Sequence, residues 1–462
     1  MNTPFFNREA ELNFLHKKFK SRQPELLIFR GRRRVGKTFL LKEFSRQVNG
    51  LYLLATVTSI QDQLQVFSKI VSDYFNDPLL AVRPLANWDE LFIYLHQRLH
   101  KRTAIILDEY PYLLEAQPGL STIVQKYWDE NLRLNKNVFL VLNGSALSMM
   151  EKETLESKAP LYGRRTGQWF VAPFDPVENN KFFSNTALVR CIEWYALSGG
   201  VPYYSQILAK HPTPLEAIFH EILSYGETLF EEVEFLLRGE FRNPRSYFPI
   251  LKAIATGSQK FGEISSKTGY DRANLSKYLV VLESLKLIHR ETPITEFNPA
   301  KSKKGLYFLS DYFMNFWFNY VFSNRTALET GGRERVMGKI VRPTFDKFIS
   351  RVCESIIRQL LQKDFFDLGL HFESLGRHWE SQTEIDIFGY TEAGNTLIGE
   401  IKWTQSPVDE EVVQALEKKV ARVYPLARGE IQKMIISKSG FVKGLARKHT
   451  DFTLIDLGKQ KV

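Results

Sequence analysis

The segment Gly31-Arg-Arg-Arg-Val35-Gly36-Lys37-Thr38 satisfies G-x-x-x-x-G-K-[ST] at every fixed position. Such a loop turns successive backbone N–H groups toward phosphate oxygens at the start of a helix, where the helix dipole also favours negative charge. Its glycines, Gly31 and Gly36, permit backbone geometry that other residues resist. Lys37 is then expected to reach the β- and γ-phosphates and Thr38 to ligate Mg²⁺, with Val35 lining the same turn. About 70 residues downstream, Ile105-Ile-Leu-Asp108-Glu109 ends an apolar run in two carboxylates. Asp108 is placed to hold the magnesium, and Glu109 to polarise an attacking water as general base. Asn143, in Asn143-Gly-Ser145, is either a water-orienting side chain or a turn asparagine. Arg164, in Tyr162-Gly-Arg164-Arg165, is either a γ-phosphate contact that offsets charge developing in phosphoryl transfer or a surface base.

A second group of chemical residues lies near the C-terminus. Asp386 and the pair Glu400-Ile-Lys402 fall on two runs with strand character, separated by the turn Glu392-Ala-Gly-Asn395. Residues two apart on a strand share a face, so Glu400 and Lys402 project together. Two carboxylates suit a divalent cation, and the lysine could stabilise charge in phosphodiester cleavage; here Lys402 is a catalytic group and not a ligand. The spacing resembles the D-(x)n-E-x-K core of PD-(D/E)xK nucleases. Glu354, on a helix expected over 345–361, matches the extra acid of those folds, and Gln414 is expected to cap the site from the following helix. The order of helix, Asp strand, Glu-x-Lys strand and helix favours that reading over a simple cross-strand charge pair. It leaves open whether the domain cuts DNA or only binds it.

Between these two groups, Phe261–Gly269 followed by Asp271–Leu279 reads as helix, turn, helix, with Gly269 at the turn. Arg272, Asn274 and Lys277 would stand near the start of the second helix, where side chains enter a major groove. Lys301, Lys303 and Lys304 would bracket a β-wing. Residues 242–310 hold twelve Lys/Arg against five Asp/Glu, a surplus of +7 in a chain whose net charge is +10. Concentration in one segment points to phosphate contacts and DNA as a partner; a solvated face or a protein-binding winged helix is the alternative.

The elements that must position these residues are legible as periodicity. A helix is expected over 5–20, opened by Asn7, with Leu12, Leu15 and Phe19 on one face. Apolar runs at 25–29, 51–57, 103–107 and 138–142 alternate with helical segments, which predicts a parallel sheet covered on both faces. Beyond about residue 172 the pattern turns helical, punctuated by Pro173 and Pro176, and Gly331-Gly332 suggests a linker.

Together with Phe6-Asn7-Arg8-Glu9-Ala-Glu11 and Ser198-Gly-Gly200-Val-Pro202, these motifs resemble the archaeal-type ATPases of the AAA+/STAND group with a C-terminal DUF234 domain. The resemblance implies an adenine pocket near Asn7 and Arg8 and a further nucleotide contact from Gly200 and Pro202. The fold expected is α/β throughout: a P-loop NTPase parallel-sheet domain (1–172), a helical lid (173–240), a winged helix (241–330) and a restriction-endonuclease-like α/β domain (335–462).

Composition bounds the rest. Hydrophobic residues are 44% and charged residues 25% of the 462, ordinary for a soluble globular chain. The two cysteines, Cys191 and Cys353, make no metal-ligand spacing and fit a reducing cytoplasm. No apolar leader and no run of about 18 apolar residues is present, so a cytoplasmic protein without a membrane partner is expected. Expected cofactors are ATP and Mg²⁺. Three functions remain in competition: an ATPase coupled to DNA, a nucleotide switch acting on a protein partner, and a metal-dependent DNA endonuclease. Self-assembly stays open.

Overall fold

The structure, a computed structural model, describes residues 7–183, 187–241, 243–380 and 382–462. Phe6 of the N-terminal motif lies outside them, as does Arg242 of the basic segment. The chain divides into two units, Met1–Pro173 and Phe174–Val462. Among the described residues no helix is long and apolar enough to cross a membrane.

The first unit is built on five strands: β1 (Glu25–Arg30), β2 (Leu51–Leu54), β3 (Thr103–Asp108), β4 (Val138–Gly144) and β5 (Gly167–Phe170). All are parallel and lie in the order β2-β3-β4-β1-β5. The four predicted apolar runs are the four strands β1 to β4. The edge strand β5 is not apparent in the sequence, because it is short, half exposed and without apolar continuity. Strand residues alternate between faces, and the alternation sorts the core into two layers. Leu26, Ile28, Ile105, Leu107, Leu140 and Leu142 pack on one side with Phe67, Trp88, Phe92 and Val124. Leu27, Phe29, Ala104, Ile106, Phe139 and Val141 pack on the other, with Leu40, Leu41 and Phe44 of the helix Lys37–Val48. Each such side chain contributes ~1.5–3 kcal/mol relative to exposure, so two-sided burial favours continuous apolar strands over alternating ones.

The N-terminal helix runs Glu9–Lys20 with Arg8, not Asn7, at its cap, so it starts later than the expected 5–20. Asn7 and Arg8 both take left-handed backbone, with φ of 54° and 73°. Leu15 is buried, and Leu12 and Phe19 pack against the layer that holds Phe44.

The second unit opens with helices, among them Leu188–Ser198 and Pro202–Leu208. Three helices follow, Phe248–Ala255, Phe261–Thr268 and Arg272–Ser284, and then the antiparallel hairpin of β6 (Ile288–Glu291) and β7 (Leu306–Leu309). Asp271 caps the third helix through its side chain, and Leu275, Leu279 and Leu282 form its buried stripe. Gly331-Gly332 makes a turn between the short helices Arg325–Glu329 and Arg333–Val336.

A long helix, Arg342–Gln362, buries Phe345, Ile349, Val352, Cys353, Ile356 and Leu360 at helical spacing. It leads into a second sheet of β8 (Phe372–Glu380), β9 (Thr383–Thr391), β10 (Thr396–Lys402), β11 (Ile431–Ser437) and β12 (Phe452–Asp456), in the order β12-β11-β10-β9-β8. Strands β8, β9 and β10 form an antiparallel meander, whereas β10, β11 and β12 are parallel. The crossover between β10 and β11 contains the helix Glu410–Val423.

Candidate functional site

The loop between β1 and the helix Lys37–Val48 needs both glycines for different reasons. A Cβ at Gly31 would stand 2.5 Å from the carbonyl oxygen of Val171, just beyond β5. Gly36 caps the helix with φ of 89°, where a side chain would be strained. Arg34 shares that left-handed conformation at φ 70°. Lys37 is buried, and its ammonium donates to the carbonyl oxygens of Gly31 at 2.7 Å and Arg32 at 2.8 Å. Arg8 donates to the carbonyl of Val35 at 2.8 Å and pairs with Glu11 at 2.7 Å, which ties the N-terminal motif to the loop.

Strand parity carries the acidic residues to the same place. Asp108 continues the face of Ala104 and Ile106, Asn143 continues that of Phe139 and Val141, and Tyr52 lies opposite Ile106 on β2. This is the face covered by the helix that begins at Lys37. Asp108 is completely buried and accepts four hydrogen bonds: Thr38 Oγ1 at 2.8 Å, Glu109 N at 2.8 Å, and close ones from Tyr52 Oη and Asn143 Nδ2. A buried carboxylate requires this saturation, and hydrogen bonds to charged groups stabilise by ~1.5–3 kcal/mol each. Burial, and then Asp108 beside it, raises the Tyr52 phenol well above its ordinary range, so it remains a donor. Glu109 follows in left-handed backbone, φ 53°, and accepts from Ser145 Oγ at 2.9 Å. Asn143 Oδ1 is buried with no hydrogen-bond partner among the described residues.

Lys37, Thr38, Asp108, Glu109 and Asn143 are therefore brought together, with Gly31, Val35, Gly36 and Arg8 framing them. Arg164 is not joined to this group: its guanidinium pairs with Asp129 at 2.8 Å and donates to the carbonyls of Pro160 and Tyr162. Gly200 and Pro202 belong to the second unit. A Cβ at Gly200 would lie 2.0 Å from the Phe174 carbonyl oxygen, a close approach sufficient to require glycine there. Pro202 opens its helix. Tyr52 is the participant that sequence reasoning missed; its only signal is a polar-tipped residue inside an apolar strand next to β3.

In the second unit, Asp386 and Glu400 are buried, one step beyond the last β9–β10 pair, Ile387 and Gly399, and Glu400 acts electrostatically on the Asp386 carboxyl. Asp386 Oδ2 accepts from Ile401 N at 3.0 Å. Glu400 accepts from Lys402 at 2.9 Å and from Lys419 at 2.7 Å. A cavity of about 350 Å³ opens beside Glu400, Lys402 and Lys419. Gln414 is exposed, so the crossover helix contributes Lys419 to Glu400 where Gln414 was expected.

Glu354 also departs from expectation. It pairs with Arg377 at 3.4 Å and Arg358 at 4.0 Å, and those arginines reach Glu291 at 3.8 Å each. Among the described residues no group of three or more His, Cys, Asp or Glu stands close enough to hold a metal ion. Glu354 is thus part of an ion network and not a third ligand beside Asp386 and Glu400.

Of the basic candidates, Arg272, Lys277, Lys301 and Lys303 are exposed, with no hydrogen bond or ion pair from their side chains among the described residues. Asn274 instead serves the cap, donating to Asp271 from its side chain at 2.6 Å. Lys304 pairs with Glu296 at 2.8 Å.

Comparison with known proteins gives the family. Residues 5–204 match a family described as an ATPase domain predominantly from Archaea, and residues 317–419 match DUF234, described as archaeal and bacterial proteins of unknown function. The uncharacterized protein MJECL04 of Methanocaldococcus jannaschii is 32% identical over 403 residues, which cover 86% of this chain and 87% of the relative. The uncharacterized ATP-binding protein MJ0423 of the same organism is 52% identical over 40 residues, 9% of this chain and 68% of the relative. The Walker-type ATPase PABY2304 of Pyrococcus abyssi shares the fold, with a TM-score of 0.51 and 20% identity over 68% of this chain and 96% of that one.

Two measurements check the site. Tyr52→Phe removes one donor from the buried Asp108 and lowers unfolding free energy by ~1–3 kcal/mol; a urea midpoint equal to wild type would contradict the network. Burial, with Glu400 opposite, pushes the Asp386 carboxyl up to about 7 from its ordinary 3.8. The folded state then holds a proton that the unfolded chain releases, so this group's contribution to stability falls as pH rises from about 4 to about 7. Asp386→Asn should flatten that part of the stability–pH curve, read by thermal melts across the interval.

Proposed function

The chain belongs to the archaeal-type ATPases that carry a C-terminal DUF234 domain, and on that premise we propose that it hydrolyses ATP with Mg²⁺ at the loop between β1 and the helix Lys37–Val48. The observation that carries this reading is the 2.8 Å contact of Thr38 Oγ1 with Asp108 Oδ2, immediately before Glu109. The two oxygens make a hard donor set of the kind magnesium takes, so the residues fit the ion. Magnesium bound there with the nucleotide neutralises charge on the β- and γ-phosphates.

Each remaining residue has a task that its position supports. Backbone N–H groups from Gly31 to Thr38 hold the phosphates, and Lys37 exchanges its carbonyl partners for phosphate oxygens. Glu109, held by Ser145, takes the proton of the attacking water. The water oxygen bonds to the γ-phosphorus as the bond to the β–γ bridging oxygen breaks, and ADP and phosphate leave. The buried Asn143 Oδ1 is an acceptor available to orient that water. Asn7 and Arg8 line the adenine side, with Arg8 fixed to Val35. Arg164 acts only if it leaves Asp129.

The ATPase domain is assigned to 1–172, the lid to 173–240, the winged helix to 241–330 and the DUF234 domain to 335–462. DNA is the partner of the second half. The support is three helices followed by a hairpin, with Arg272, Lys277, Lys301 and Lys303 exposed and uncommitted. A second reading, a nuclease-like C-terminal domain, is favoured by the order helix, three-stranded meander, helix, parallel strand, and by Asp386 opposite Glu400 with Lys402 on the same strand. Asp386 and Glu400 fit a divalent cation as a pair; Glu354 does not join them.

Two experiments test the proposal. Lys37→Ala abolishes nucleotide binding, whereas Glu109→Gln still binds ATP and hydrolyses it ~10²–10⁴-fold more slowly. A Glu109→Gln enzyme with wild-type turnover in a phosphate-release assay would remove the assignment of the base. Arg272→Ala with Lys277→Ala weakens DNA binding and lowers its salt slope by about two in fluorescence anisotropy. An unchanged slope would take the recognition helix out of the interface.

A further inference from the structure

The loop between β6 and β7, residues 292–305, holds the most exposed large apolar side chain in the described structure. Phe297 has a relative accessibility of 103%, so no neighbour covers its ring. Single exposed apolar residues are common on protein surfaces and carry no meaning alone. This one is distinguished by how its loop is held and what flanks it.

The loop is clamped at three places. From β6, Arg290 donates to the carbonyls of Pro299, at 3.0 Å, and Ser302. Its guanidinium occupies the space a Cβ on Gly305 would need, 2.2 Å from Arg290 Nε. At the base, Ile294 N donates to the Arg377 carbonyl at 2.8 Å, and Thr295 Oγ1 bonds His378 Nδ1 at 2.8 Å, so the loop is fastened to the edge strand β8. Lys304 pairs with Glu296 beside the ring at 2.8 Å. Phe297 is thus held outward by a fixed loop. The same loop carries Asn298, Lys301 and Lys303, all exposed, within six residues of Phe297. An exposed aromatic ring on a tethered loop that also carries two uncommitted ammonium groups matches one partner chemistry: a stacked base whose neighbouring phosphates meet the lysines.

We propose that Phe297 is a base-stacking wedge that enters DNA while Lys301 and Lys303 hold the flanking phosphates. The proposal rests on the reading of the second half as DNA-binding and deepens it, because it assigns the loop a grip on the bases themselves. The ring's binding energy comes from covering apolar surface and from stacking, so it is insensitive to salt. The lysines act through counterion release and are salt-sensitive. No covalent step is involved.

The test uses the full-length protein and a fluorescein-labelled DNA duplex carrying 2-aminopurine, with the matching single strand as a second probe. Phe297→Ala cannot disturb the fold through lost packing, since the ring packs on nothing. It should lower affinity about tenfold, leave the salt slope unchanged, and abolish the 2-aminopurine change seen on binding. Phe297→Trp should retain affinity and signal. Lys301→Ala with Lys303→Ala should lower the salt slope by about two. A larger effect of Phe297→Ala on duplex than on single strand places the ring between paired steps; the reverse places it on unpaired bases, and both support stacking. Wild-type binding that Phe297→Ala leaves intact would overturn the wedge while sparing the DNA reading. Wild-type protein that binds neither probe at low salt would overturn both.

Discussion

A fully buried carboxylate with four donors organises the first unit. Asp108 draws together one residue from each neighbouring element: Thr38 from the helix after the phosphate loop, Tyr52 from β2, Asn143 from β4 and the amide of Glu109. Leaving such a group unsatisfied costs ~1–3 kcal/mol per lost partner or more for a charge, so the four elements cannot shift independently. The order β2-β3-β4-β1-β5 serves the same end. It inserts β4 between the loop strand and the acidic strand, which delivers Asn143 and Ser145 to Asp108 and Glu109.

The second unit has its own electrostatic constraint. Glu291 on the hairpin, Glu354 and Arg358 on the long helix, and Arg377 on β8 form a network of half-buried charges. Burial first, then the neighbouring Glu384 and Glu291 carboxylates, raise the Glu354 carboxyl, and the two arginines act against that shift. Removing one partner from such a network strands the others, which is more costly than the network is stabilising. Its effect here is positional: it fixes the hairpin base against the edge of the second sheet, beside the Ile294–Arg377 backbone bond. The loop that carries Phe297, Lys301 and Lys303 is thereby joined to the sheet that carries Asp386 and Glu400.

How much of this was legible in the sequence depended on whether a role is set locally. The phosphate loop, the acidic strand end and the four buried strands follow from short motifs and unbroken apolar runs. The convergence of Asp108, Asn143 and Thr38 follows from strand parity once the order is known. Tyr52 was not legible, because its role depends on β2 lying beside β3 with Tyr52 level with Ile106. Asn7 looked like a helix opener, yet the helix starts at Glu9, with Arg8 bonded to the Val35 carbonyl. Glu354 fitted the spacing of a third metal ligand, but Arg377, on a strand that follows the helix, claims it. In the same way, Lys419 replaces Gln414 at Glu400, since helical phase decides which residue of 410–423 faces β10. Each of these misses concerns a partner distant in sequence.

The central claim is that a nucleotide and its magnesium ion are held between Lys37, Thr38 and Asp108. Isothermal titration calorimetry of wild-type protein with a non-hydrolysable ATP analogue, with and without Mg²⁺, tests it most directly. One site per chain is expected, with an affinity that tightens when Mg²⁺ is added. No measurable heat in either condition, or an affinity indifferent to the metal, would contradict it.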